Sequence, residues 1–89
     1  MSYQVRTTTR FEKQLLKLDP QISRLILKWL AKHIDGTDNP RATGKALIGN
    51  YSGQWRYRVG DYRVICRIME DELVVLALEV GHRKQVYGK

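Results

Sequence analysis

Residues 55–69 read Trp-Arg-Tyr-Arg-Val-Gly-Asp-Tyr-Arg-Val-Ile-Cys-Arg-Ile-Met. Apolar and basic residues alternate on both sides of Gly60-Asp61, a pair suited to a two-residue hairpin turn. Such a turn sets Val59 opposite Tyr62, Arg58 opposite Arg63 and Arg56 opposite Ile65. Side chains alternate between the faces of a strand. Trp55, Tyr57, Val59, Tyr62, Val64, Cys66 and Ile68 then share an apolar face, and Arg56, Arg58, Arg63 and Arg67 share the other. Like charges placed directly opposite each other destabilise a sheet. An anion held between them removes that cost, so the arginine face reads as a phosphate-binding surface. The competing reading sends each arginine into water or pairs it with an acid. Glu79 is the candidate acid: a three-residue turn at Glu70–Glu72 places it opposite Arg63, with Val74, Leu76, Leu78 and Val80 turned to the core.

A second basic group, Arg10, Lys13, Gln14 and Lys17, has the spacing of one helix face. The plain reading is the solvated side of an amphipathic helix; gripping a polyanion, with the salt dependence that brings, is its second reading. Two histidines and one cysteine are too few for a histidine-based or multi-cysteine metal site, so no metal and no cofactor are expected. Glycine-rich phosphate loops, HExxH and GxSxG are absent. His33 falls near a helix C-terminus and reads as structural. His82, between Gly81 and Arg83, reads better as functional. Cys66 reads as a small core residue.

The elements that must carry these groups follow from the rest of the chain. Eighty-nine residues make one domain, 1–89, with room for about two layers. Sixteen Lys and Arg against nine acids give a net charge of +7, a field that attracts phosphates or an acidic protein. Tyr3–Thr7 reads as a first strand. Thr9 and Glu12 form a capping box ahead of an amphipathic helix over Arg10–Leu18. Asp19 caps a second helix with Pro20 in its first position, and Gly36 ends it. The two helices are expected to form a hairpin. Thr37–Gln54 reads as an irregular loop with a short extended piece at Ala46–Ile48. Trp55–Val59, Tyr62–Met69 and Leu73–Val80 complete an antiparallel meander. The fold class is therefore α+β, a helical hairpin on one face of a small antiparallel sheet. Residues 1–10 carry no signal-peptide pattern and no apolar run approaches the ~20 residues that span a bilayer, so a cytoplasmic protein without a membrane partner is expected.

The Trp55–Ile65 run followed by Gly81-His-Arg-Lys-Gln-Val-Tyr87 resembles the RelE/ParE toxin superfamily on its RelE side. The likeness covers nearly the whole chain. The Gly-Asp-Tyr-Arg hairpin is shared across the superfamily; the Gly-His-Arg…Val-Tyr ending is more specific to its RNase branch. The resemblance implies the toxin of a type II toxin–antitoxin pair, with a RelE-like microbial RNase fold. It would act as a metal-independent, ribosome-dependent endoribonuclease that cuts mRNA in the A site by 2′-hydroxyl attack. Carried over, Arg56, Arg58, Arg63 and Arg83 surround the scissile phosphate, and Tyr87 stacks on a base or assists proton transfer. Arg10, Lys13, Lys17, Arg67 and Lys84 are the candidate RNA contacts. Some relatives carry lysines where this chain has Arg56 and Arg58. Arginine cannot be tuned into a base, so His82, Tyr87 or Lys84 is left to accept the proton. The implied partners are a RelB-like antitoxin with an acidic wrapping segment, the ribosome with its mRNA, and operator DNA through the antitoxin complex alone. The alternatives are a ParE-like, non-enzymatic inhibitor of DNA gyrase on the same fold, a basic module that holds RNA without cutting it, and a homologue without activity.

Overall fold

The computed structural model describes residues 1–84. Five strands and two helices follow in the order β1 (Gln4–Thr7), α1 (Thr9–Leu16), α2 (Pro20–His33), β2 (Lys45–Ala46), β3 (Trp55–Val59), β4 (Tyr62–Met69) and β5 (Val74–His82), with a short 3₁₀ turn at Gly49–Tyr51. They form one sheet in the order β1-β5-β4-β3-β2. The α+β architecture matches the expectation, with one refinement. β1 runs parallel to β5 while the other pairs are antiparallel, so the sheet is mixed.

Local signals explain most boundaries. The α1 cap lies one residue earlier than the sequence indicated: Thr8 Oγ1 accepts from Phe11 N–H at 3.2 Å and donates to the Ala77 carbonyl at 2.9 Å. A single hydroxyl thus starts the helix and ties it to β5. Glu12, expected to reach the cap backbone, accepts from Thr7 Oγ1 instead. Asp19 caps α2 through Gln21 N–H, with Pro20 in the first turn. Gly36 leaves the helix at φ +86°, a backbone state glycine adopts at little cost. Its N–H donates to Tyr3 O, and Tyr3 N–H donates to Thr37 O, which docks the helix end on β1.

Phe11 and Leu15 of α1, Ile26 and Leu30 of α2, and Ile34 beyond it pack on Tyr57, Val64, Cys66, Val75, Ala77 and Val80 of the sheet. Each Val, Leu, Ile or Phe side chain among them that is removed from water contributes roughly 1.5–3 kcal/mol. Burial pushes the Cys66 thiol upward in pKa, and burial, aided by the neighbouring Cys66, does the same to the Tyr57 phenol. Neither is a proton acceptor near neutral pH. Tyr57 instead donates to the Pro40 carbonyl at 2.6 Å and so anchors the long loop.

The β4–β5 hairpin departs from the expected register. Leu73 adopts φ 55° in the turn, Met69 pairs with Val74, and a β-bulge falls between the pairs Cys66–Ala77 and Ile65–Glu79. The loop therefore has four residues, Glu70–Leu73, where three were expected, and the bulge adds one more on β5. Val75 and Ala77 occupy the core in place of Val74, Leu76 and Leu78; past the bulge Val80 rejoins the core as expected. Glu79 lands opposite Ile65, while Arg63 faces Gly81.

Candidate phosphate-binding face

The β3–β4 hairpin has the register read from its turn: Val59 pairs with Tyr62, Arg58 with Arg63 and Arg56 with Ile65. Arg56, Arg58, Arg63 and Arg67 consequently emerge on the sheet face turned away from the helices. Their exposures differ. Arg58 and Arg67 are open to solvent, Arg56 is half-buried, and Arg63 is 8% exposed. Arg56 Nε is buried with no hydrogen-bond partner among the described residues. A half-buried guanidinium with an unmet donor is poised for a charge-assisted bond to an incoming oxygen.

Two further cations join this face. Lys45 of β2 lies opposite Arg56 across the antiparallel ladder. Arg6 of β1 lies beside Leu76, whose other neighbour is Arg67, and it donates to Gln4 Oε1 at 2.9 Å. Sequence reasoning missed both because the pairing partners of β1 and β2 are set by tertiary contacts. Glu79 does not pair with Arg63 as proposed from the turn; its carboxylate lies 3.5 Å from Arg10 Nη2 of α1.

That contact belongs to a groove of about 280 Å³ between α1 and β5, lined by Arg10, Gln14, Lys17, Glu79 and Val80 among others. β1 ends at Thr7 opposite Ala77, so the outer edge of β5 beyond Ala77 has no strand partner. α1 takes the place of that strand: Gln14 Oε1 accepts from Val80 N–H at 2.8 Å. Arg10 and Lys17 thereby line the edge of the strand that ends at Gly81 and His82. Lys13 is exposed and does not line the groove.

At the end of β5, Arg83 N–H donates to Asp61 O at 2.8 Å, fastening the strand exit to the β3–β4 turn. Arg83 is exposed and adjacent to the Arg58–Arg63 end of the face. His82 is placed otherwise than expected. It pairs with Tyr62, their rings meet edge-on at 5.5 Å, and Tyr62 packs against the core. The imidazole thus lies on the helix side of the sheet, away from the arginines. Its Nδ1 accepts from Lys84 N–H at 3.2 Å, which leaves the proton of the neutral ring on Nε2. Lys84 is exposed. Tyr87 lies outside the described residues. No group of three or more metal-ligating side chains occurs among the described residues, and no helix there is long and apolar enough to cross a membrane.

The sheet face thus carries opposed arginines and is bounded by a basic helix groove, an arrangement whose field attracts anions. The family model described as the ParE toxin of the type II toxin–antitoxin system parDE matches residues 5–87. The chain belongs to the RelE/ParE toxin superfamily. It is 33% identical to Toxin RelG of Mycobacterium tuberculosis over 89 residues, all of both chains. The toxin–antitoxin complex RelBE2 of the same organism contains a chain with a TM-score of 0.78 and 31% identity, covering 93% of this chain and 100% of that one. The free E. coli toxin RelE, in a double-mutant form, shares the fold with a TM-score of 0.75 at 20% identity, covering 98% of this chain and 90% of that one. The protein is a type II toxin–antitoxin toxin with the RelE-like fold.

Proposed function

We propose that this toxin is a ribosome-dependent endoribonuclease that cuts mRNA in the A site. The observation that carries the reading is the arginine face, where Arg56, Arg58 and Arg63 gather around one patch with an unmet donor on Arg56. In the proposed reaction the 2′-oxygen of one nucleotide attacks the adjacent phosphorus. The bond from phosphorus to the 5′-oxygen of the next nucleotide breaks. The products are a 2′,3′-cyclic phosphate and a 5′-hydroxyl, and the proton lost by the 2′-hydroxyl is balanced by one gained by the leaving oxygen. Negative charge grows on the phosphoryl oxygens as the pentacoordinate state forms. Preorganised guanidinium groups stabilise it, and each such donor is worth about 10²–10³ in rate.

Arginine supplies charge and donors rather than a base. His82 faces the other side of the sheet, so the proton acceptor falls to Tyr87 in the C-terminal segment, with Lys84 the second candidate. Tyr87 also offers a ring for base stacking. Arg10 and Lys17 extend the positive surface along the edge of β5, and Arg67 and Lys45 extend it across the sheet.

The partner in this reading is an acidic antitoxin segment that folds onto the basic face and blocks it. The crystallised toxin–antitoxin complex RelBE2 supports such a partner. Contact with operator DNA would come through the antitoxin, and the site of action would be the cytoplasm.

The match to the ParE toxin family favours one second reading, a ParE-like inhibitor of DNA gyrase. Pulse-labelling after induction separates the two. Collapse of protein synthesis ahead of any DNA-damage response, lost in Arg56→Gln/Arg58→Gln, supports the nuclease. DNA damage with translation intact supports the gyrase inhibitor.

A further inference from the structure

A groove of about 300 Å³ lies at the open edge of β3, beside the arginine face. It is lined by Trp29, Thr43, Gly44, Lys45, Arg56 and Arg58. β2 covers only Trp55 and Arg56 of β3, which leaves the remainder of that edge bare. Gly44 sits at φ +86° so close to β3 that a Cβ there would overlap the Arg56 carbonyl oxygen. The backbone groups of Arg56 therefore point toward β2. Backbone direction alternates along a strand, so those of Arg58 point the same way, into the groove. Trp29 closes the other wall. It is half-buried, in tilted ring contact with Tyr57 at 5.7 Å and with the exposed His33 at 5.0 Å.

An aromatic wall, a free backbone donor and acceptor, and three cations within one small groove are the parts of a nucleotide site. The aromatic ring takes a base by stacking, which is sequence-tolerant. The strand edge hydrogen-bonds the base. Lys45 and the two arginines take its phosphate. We propose that this groove holds the base and phosphate of one RNA nucleotide next to the linkage gripped on the arginine face. The inference rests on the nuclease reading, because Arg56 and Arg58 serve both places and make the two surfaces continuous. A bare strand edge also suits an extended peptide. The cations favour the polyanion, and the volume is at the small end of the roughly 300–1,000 Å³ range of ligand pockets, enough for one base rather than a strand.

The test uses the intact protein, with fluorotryptophan in place of its two tryptophans. It is titrated with a four-nucleotide RNA made uncuttable by 2′-deoxyribose at the reacting sugar. Fluorine NMR follows each ring, and Trp29→Phe assigns them while keeping a ring against Tyr57. The Trp29 resonance should shift saturably. Trp29→Leu should weaken binding about tenfold, within the roughly 5- to 150-fold that one stacked base is worth. Lys45→Ala leaves the core untouched, because Lys45 is exposed. It should lower the slope of log affinity against log salt by about 0.7, one phosphate contact on a single strand. Lys28→Ala, an exposed α2 lysine outside the groove, should change neither. RNA binding that needs Arg58 but leaves the Trp29 resonance, Trp29→Leu and Lys45→Ala unaffected overturns the subsite and leaves the nuclease reading standing. A Trp29 shift produced by an acidic peptide and not by RNA overturns it in favour of a protein strand. Failure to bind RNA both free and on programmed ribosomes sinks the subsite and the nuclease reading together.

Discussion

Replacing Gln14 with leucine removes the acceptor for Val80 N–H and little else. The bond is 2.8 Å long, Val80 is 4% exposed, and the outer edge of β5 has no strand partner at that point. A buried donor left without a partner costs about 1–3 kcal/mol. The neighbouring groove is open, so water can reach the amide, and the lower end of about 1 kcal/mol applies. In a domain of this size that lowers the melting temperature by about 4–8 °C. Gln14→Glu keeps an acceptor between Arg10 and Lys17 and should melt close to the wild type. Calorimetry gives both numbers, and hydrogen exchange should show protection lost at Val80 in the leucine variant alone. The same variant should cleave more slowly, because Val80 holds the strand that delivers Gly81 and Arg83 to the arginine face. A leucine variant that melts within about 1 °C of wild type, with Val80 still protected, would refute the reasoning; so would a glutamate variant as unstable as the leucine one.

Other expectations concern the core and the face. Cys66 and Tyr57 hold their protons in the fold more tightly than in the unfolded chain, because burial raises both. The unfolded thiol ionises near pH ~8.5 and the phenol near ~10. Their contribution to stability is therefore complete below about pH 8.5 and is lost as the pH rises beyond it. Melting temperatures across pH 7–11 should show that decline, with its onset moved toward about pH 10 in Cys66→Ala. Gly44→Ala should detach β2 from β3, since a Cβ there meets the Arg56 carbonyl and the Trp55 indole; loss of the Trp55 Nε1 bond to Thr43 O will show as a shifted indole proton in NMR. Arg58→Gln should lower cleavage by about 10²–10³. Because Arg58 is exposed and faces Arg63, its melting temperature should stay level or rise.

The sequence made the hairpin at Gly60-Asp61 legible in full because three local signals agree there: the turn pair, the alternation, and the apolar face it produces. The arginine face followed from that register. Asp19-Pro20 and Gly36 were legible for the same reason, since each sets its local backbone by its own chemistry. The hairpin of β4 and β5 was misread because Leu73 takes a positive φ that no glycine announces. The bulge after Ala77 falls where Thr8 and Gln14 bond to β5, long-range contacts that local patterning does not reveal. That displacement moved Glu79 from Arg63 to Arg10. His82 was placed with the arginines by its neighbours in the chain, whereas strand alternation put it beside Tyr62. The groove at Trp29 was hidden altogether, because it joins α2, the long loop and β3 across positions far apart in sequence.

The most direct test of the central claim is end-mapping of mRNA on ribosomes stalled with an empty A site, incubated with the wild type beside Arg83→Ala. The account predicts cuts within the A-site codon that leave a cyclic phosphate, vanish when the attacking nucleotide is 2′-deoxy, and fall away in the variant. Intact mRNA in the presence of well-folded wild type would contradict it.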